Sequence, residues 1–134
     1  MSIASYFSVV STRDRVFHFQ LKGLWTEVVV VQISTQMLAL FKQAVDSMEG
    51  RRFLVLADLR EFLPPAQQAK EVVTQTMKYA REHNLYKTVE VMPSALSRLA
   101  IRQSAEATGQ DDFRVVVATL EEAWVEINKL KQSL

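Results

Sequence analysis

Hydrophobic positions along this chain change their period several times, and each change marks an element. Phe17, Phe19 and Leu21 alternate with His18, Gln20 and Lys22, which predicts a strand over Arg15–Lys22 with one buried and one polar face. A second extended run, Ser5–Val10, precedes it across Ser11-Thr12-Arg13-Asp14, so the two form a hairpin. From Val30 the spacing becomes three and four: Val30, Ile33, Met37, Phe41, Ala44, Val45 and Met48 lie on one helical stripe. Thr26 caps this helix, which runs to about Met48, and Trp25 stands where a hydrophobic staple to Val30 forms. The β-branched run Val28–Val31 suits a strand, but the three-and-four period assigns it to the helix.

The second half repeats the alternation of strand and helix. Phe53–Leu59 is a continuous apolar strand that stops on Asp58 and is followed by a charged and aromatic lip, Arg60, Glu61 and Phe62. A helix from about Pro65 to His83 buries Ala69, Val72, Val73, Met77 and Ala80. Thr88–Met92 is a short strand, Ser94 caps a helix carrying Leu96, Leu99 and Ala100, and Phe113–Ala118 is another apolar strand. Thr119 and Glu122 form a capping box for a last helix, Leu120–Lys131, whose inward residues are Ala123, Trp124, Ile127 and Leu130. Gly50, Asn84 and Gly109 each follow a helical pattern, where a left-handed residue ends it, and Gly23 ends a strand.

The order is β-β-α-β-α-β-α-β-α. Strands alternating with helices need crossovers, so the later strands are parallel and the opening hairpin adds an antiparallel element at an edge. The expected fold is α/β: a mixed sheet of about five strands covered by four helices, in one domain spanning residues 1–134.

Composition removes several classes of function. Net charge is +1 with both signs interleaved, so no block is basic enough to imply nucleic acid. Cysteine is absent, which excludes disulfides and thiolate metal sites. No signal peptide is evident and no apolar run, Val28–Val31 included, approaches a bilayer span, so the expected location is the cytoplasm. His18 lies on the polar face of its strand and His83 at a helix end, neither with a partner at metal-ligand spacing, so no metal is expected. Asp111 and Asp112 follow Gly109 as turn residues. There is no G-x-S-x-G elbow, H-E-x-x-H helix, P-loop or dinucleotide motif, so no enzyme, catalytic residue or cofactor is expected.

Two features remain as candidates. Ligands of open α/β sheets bind beyond the carboxyl ends of strands, which singles out Asp58, Arg60, Phe62 and Trp25 as a ligand-binding lip. Asp58 orients a polar group there or accepts backbone N–H bonds in its own turn. Arg60 meets an anion, stays solvated or pairs with Glu61, while Trp25 and Phe62 line an apolar mouth or serve as staple and loop anchor. The second feature is the breadth of the first helix. Val31 and Leu38 flank its core stripe on one side, Val29 and Leu40 on the other, so the apolar arc covers roughly 200°. Either neighbouring helices cover these flanks, or they form an interaction surface for a homodimer or protein partner, or the wall of an apolar pocket.

Three segments carry a family resemblance: Leu21-Lys22-Gly23-Leu24-Trp25-Thr26, the strand Phe53–Leu59 with Asp58, and Thr119-Leu120-Glu121-Glu122-Ala123-Trp124. In these the chain resembles the SpoIIAA-like, or STAS-like, family of small bacterial proteins over nearly its whole length. The resemblance implies a mixed sheet with helices packed against it. It also implies a binding or regulatory role, with a lipid or other small apolar ligand, or a protein partner, as the target. The anti-sigma-factor antagonists of that family are switched by phosphorylation of a Ser or Thr shortly after the strand matching Phe53–Leu59. Here that stretch reads Arg60-Glu61-Phe62-Leu63-Pro64-Pro65-Ala66-Gln67-Gln68, and the next hydroxyl is Thr74. A switch of that kind has no acceptor at this position, which sets the chain closer to the single-domain SpoIIAA-like proteins.

Overall fold

A computed structural model of the chain describes residues 2–63, 67–94 and 113–134. Its sheet has five strands in the order β1-β2-β3-β4-β5: Phe7–Ser11, Val16–Gly23, Phe53–Phe62, Leu85–Val91 and Arg114–Val117. β1 runs antiparallel to β2, and β2 to β5 are mutually parallel. Three α-helices are described: α1 (Glu27–Asp46), α2 (Gln67–Glu82) and α3 (Leu120–Lys131). The further helix expected after Ser94, with Leu96, Leu99 and Ala100, falls outside the described residues, as do Gly109, Asp111, Asp112 and the Pro64-Pro65 pair.

β3 is central, and its apolar run is explained by burial on both faces. Phe53, Val55 and Ala57 point into the cluster made with α1 and α2, while Leu54 and Leu56 point into the cluster made with α3. The larger core centres on Phe17, Phe19 and Phe41, whose rings meet at 5.0–5.7 Å. By length and composition alone α1 resembles a membrane span, with mean hydropathy 1.4. Its stripe Val30, Ile33, Met37, Phe41, Ala44 and Val45 nevertheless packs into this core.

The local signals act as their chemistry requires. Thr26 accepts the Val29 N–H at 3.3 Å, and Trp25 and Val30 are buried in the same cluster. Thr119 accepts the Glu122 N–H at 3.1 Å, but the Glu122 carboxylate returns to the N–H of Ala118, one residue before the cap. Asn84, at φ 82°, ends the α2 turn and also donates to the Gly50 carbonyl, tying the two turns together.

Two expectations are corrected by the sheet. β3 does not stop at Asp58: it continues to Phe62, because Lys22 and Gly23 extend β2 alongside Glu61 and Phe62. The alternating strand does not keep a polar face either. Val16 to Phe19 are all buried, because α3 covers the side that carries His18.

Candidate functional site

The carboxyl ends of β2 and β3 meet through an irregular register. Gln20 lies opposite Asp58 and Lys22 opposite Glu61, so β3 carries one extra residue between them. This bulge folds Arg60 back over Asp58. The guanidinium donates from Nε to Asp58 Oδ1 at 2.9 Å and from Nη2 to Oδ2 at 2.7 Å, and the Arg60 N–H adds a third bond at 3.2 Å. Gln20 bridges the strands, donating to Glu61 at 3.0 Å and to Asp58 at 3.5 Å. Burial pushes the Asp58 carboxyl up, but the Arg60 hydrogen bonds and charge, with a smaller contribution from His18, together hold it below its ordinary value.

Paired in this way, Asp58 is a structural carboxylate: its acceptor sites are filled, and the Arg60 fork is spent on it rather than on an anion. The expected pairing of Arg60 with Glu61 gives way because the bulge presents the closer carboxylate. Asp58→Asn is expected to lose about 1.5 kcal/mol at pH 7, taking a charged hydrogen bond and discounting for the half-exposed guanidinium. A carboxyl depressed in the folded state stabilises above its unfolded value and loses that contribution as pH falls through the folded one. Urea denaturation at pH 7 and pH 3 should therefore show the gap between wild type and Asp58→Asn closing in acid. An equal gap at both values would refute this account.

Trp25 and Phe62 do meet, but as mutual packing. The Trp25 ring is fully buried, stands edge-on to Phe62 at 5.9 Å and to Tyr6 at 6.5 Å, and donates Nε1–H to the Lys22 carbonyl at 2.9 Å. Gly23, at φ 77°, allows the turn that brings these rings together, and a Cβ there would stand 3.4 Å from the Tyr6 ring. The space expected for an apolar mouth is filled by the rings themselves.

Outside this aromatic cluster lies a set of exposed apolar side chains. Leu24 and Leu63 are each about half exposed, and their segments are joined by the Leu63 N–H to Gly23 carbonyl bond at 3.1 Å. Val28 (61%) and Val31 (80%) stand one turn apart on the outer face of α1. Of the helix residues singled out from the sequence, Val31 lies on this surface. Val29 is 5% exposed in the core, and Leu38 and Leu40 pack against the core partly buried. Leu24 and Val28 were not singled out. Val28 and Val31, three apart on α1, carry a weak second stripe that the wider core stripe hides, while Leu24 precedes the Thr26 cap and has no periodic signal.

On the other face of the sheet, His18 is 9% exposed, stands edge-on to Trp124 at 5.7 Å, and has no partner for Nε2 among the described residues. Such an orphaned atom costs about 1–3 kcal/mol. Burial lowers the His18 pKa, with Asp58 opposing and Arg60 assisting. The unfolded chain thus takes up this proton first, so His18 withdraws stability as pH falls below the ordinary histidine value towards its folded one. His18→Leu should flatten the change in urea midpoint between pH 7.5 and 5.5 that wild type shows, and an unchanged slope would refute the assignment. Glu90 on β4, bound by Arg114 at 2.7 Å, works in the opposite sense: burial raises its pKa against the pull of Arg114, so its contribution falls as pH rises.

A cavity of about 190 Å³ lies beside His18 and Trp124, and another of about 60 Å³ lies between α2 and the β4–β5 side. Neither is lined by Asp58, Arg60, Phe62 or Trp25. Among the described residues no group of His, Asp or Glu is placed to hold a metal ion.

No protein-family model matches the sequence, and no curated protein sequence matches it. Solved structures do match the fold. Phosphorylated SpoIIAA, a Bacillus cell fate determinant, superposes with a TM-score of 0.58 at 17% identity, over 90% of this chain and 98% of its own. The anti-sigma factor antagonist SpoIIAA in its unphosphorylated form gives 0.57 at 15% identity, over 92% and 96%. An anti-sigma factor antagonist from Mycobacterium paratuberculosis gives 0.56 at 15% identity, over 96% and 99%. The chain has a SpoIIAA-like α/β fold, as the sequence resemblance implied.

Proposed function

We infer that this protein is a non-catalytic regulator that acts by binding a protein partner through the surface of Leu24, Val28, Val31 and Leu63. The observation that carries this reading is the exposure of four large apolar side chains around one end of the sheet. Single exposed apolar residues are ordinary, whereas several gathered at one end of a sheet favour a contact surface. The structural neighbours are anti-sigma factor antagonists, which supports a partner of the anti-sigma-factor kind. No Ser, Thr or Tyr occurs between Arg60 and Val73, so this surface is constitutively presented rather than switched by a phosphate at the strand end. Thr74, the next hydroxyl, donates to the Lys70 carbonyl within α2.

A lipid or small apolar ligand at the same end is less well supported, since Trp25 and Phe62 fill the space between them. The test compares immobilised wild type with a Val28→Asp/Val31→Glu variant as baits for a purified anti-sigma factor and for a second copy of the chain. Retention by wild type and its loss in the variant support the reading. Equal behaviour of the two baits overturns it. Retention of the second copy alone redirects the surface to self-association.

A further inference from the structure

Among the described residues, the second face of the sheet is wider than the one helix that packs on it. Strands spaced about 4.8 Å apart span more than one helix, about 10 Å across, can shield. α3 packs on β3, β4 and β5, and over the margin at β2 it reaches His18 with the ring of Trp124. That ring lines a cleft of about 190 Å³ together with the buried Val16 and His18, while the exposed Arg13 and Asp14 and the half-buried Lys131 form its rim. The cleft is open to solvent on one side, and its volume compares with the apolar cavity of about 150 Å³ that holds a benzene molecule, so a six-membered ring fits with its head group at the opening.

Its chemistry is specific. The wall is apolar and aromatic, with Val16 3% exposed and the Trp124 ring set edge-on to the imidazole of His18. Neither Arg13 nor Lys131 has an ion-pair partner among the described residues. With Asp14 as the one carboxylate, the rim carries one net positive charge. The turn that presents Arg13 is fixed: Ser11 Oγ accepts the Arg13 N–H at 3.2 Å, and Asp14 and Arg15 follow with φ of 56° and 62°. Burial keeps His18 neutral near pH 7, so it offers the wall a polar atom but no charge.

We propose that this cavity is a second binding site, which takes a small carboxylate bearing one flat ring. The ring lies between Trp124 and Val16, and the carboxylate meets Arg13 and Lys131 at the rim. The site is formed by β2, the β1–β2 turn and α3, none of which carries the Leu24–Val31 surface, so it stands or falls independently of the partner reading.

The test is a titration of the full ¹⁵N-labelled chain with benzoate at pH 7.5, followed by NMR, with benzamide as the neutral counterpart. Saturable shifts are expected at the Trp124 indole N–H and at the Val16 and His18 amides, with none at Leu24 or Val28. Benzamide should bind about fivefold more weakly, as two solvent-exposed charge contacts provide. Both rim side chains reach the surface, so Arg13→Gln/Lys131→Gln should fold and should erase the difference between the two probes. Non-saturating shifts, shifts centred elsewhere, equal binding of the two probes, or unchanged benzoate affinity in the double variant would each overturn the proposal.

Discussion

Trp25→Ala is expected to destabilise the protein by about 4 kcal/mol, the middle of the range for truncating a fully buried aromatic side chain. Three separate losses combine at this one position. The indole is completely buried between Tyr6 and Phe62, so its removal opens a cavity at the end of the sheet. Loss of the indole Nε1–H also leaves the Lys22 carbonyl without that donor. It also stands immediately before the Thr26 cap, where it anchors the first turn of α1. Against a total stability of about 5–15 kcal/mol, such a loss leaves a marginal fold. Urea denaturation should show a large fall in midpoint for Trp25→Ala and a smaller one for Trp25→Phe, which keeps a ring but not the donor. A loss under 1 kcal/mol for Trp25→Ala would mean that the rings are not the structural plug described above.

The Val28→Asp/Val31→Glu variant should behave in the opposite way, with the fold intact and binding lost. Both side chains point outward, at 61% and 80% exposure, so no core contact is removed. Position 28 is the second residue of α1, where a negative charge favours the helix dipole by about 0.3–1 kcal/mol. Glutamate at position 31 is a better helix former than valine. The variant should therefore melt at or slightly above the wild-type temperature. For a partner that desolvates these valines, two buried unpaired carboxylates should weaken affinity at least about thirtyfold, the scale of a single hot spot. Isothermal titration and a melting curve on the same samples separate the two effects. A variant that melts much lower would show that α1 is shielded differently, and one that binds as tightly as wild type would remove these valines from the interface.

Much of the architecture was legible because its signals are local. Thr26 before a three-and-four stripe, Asn84 after α2, and Thr119 with Glu122 each work through groups within a few residues. The start of α3 at Leu120 follows directly from the Thr119 cap. Phe53–Ala57 announced a strand covered on both faces, because five consecutive apolar residues in extended backbone cannot all face one side. The candidate site was far less legible. Asp58, Arg60, Trp25 and Phe62 were all identifiable from the sequence, but their relations to one another were not.

The chain by itself determined the order of the described elements and the caps that start or stop several of them, since backbone propensity and hydrophobic period are properties of neighbouring residues. Only the tertiary structure decided which faces are covered. An extra residue in β3 against β2 turned Asp58 and Arg60 from a ligand lip into a closed pair. The packing of α3 across the second face buried His18, which the alternation alone assigned to solvent. The absence of a described neighbour over Val28 and Val31 left them outside, while Val29 turned inward. A side chain's period states which residues share a face, but exposure is set by whatever segment, distant in sequence, packs on that face.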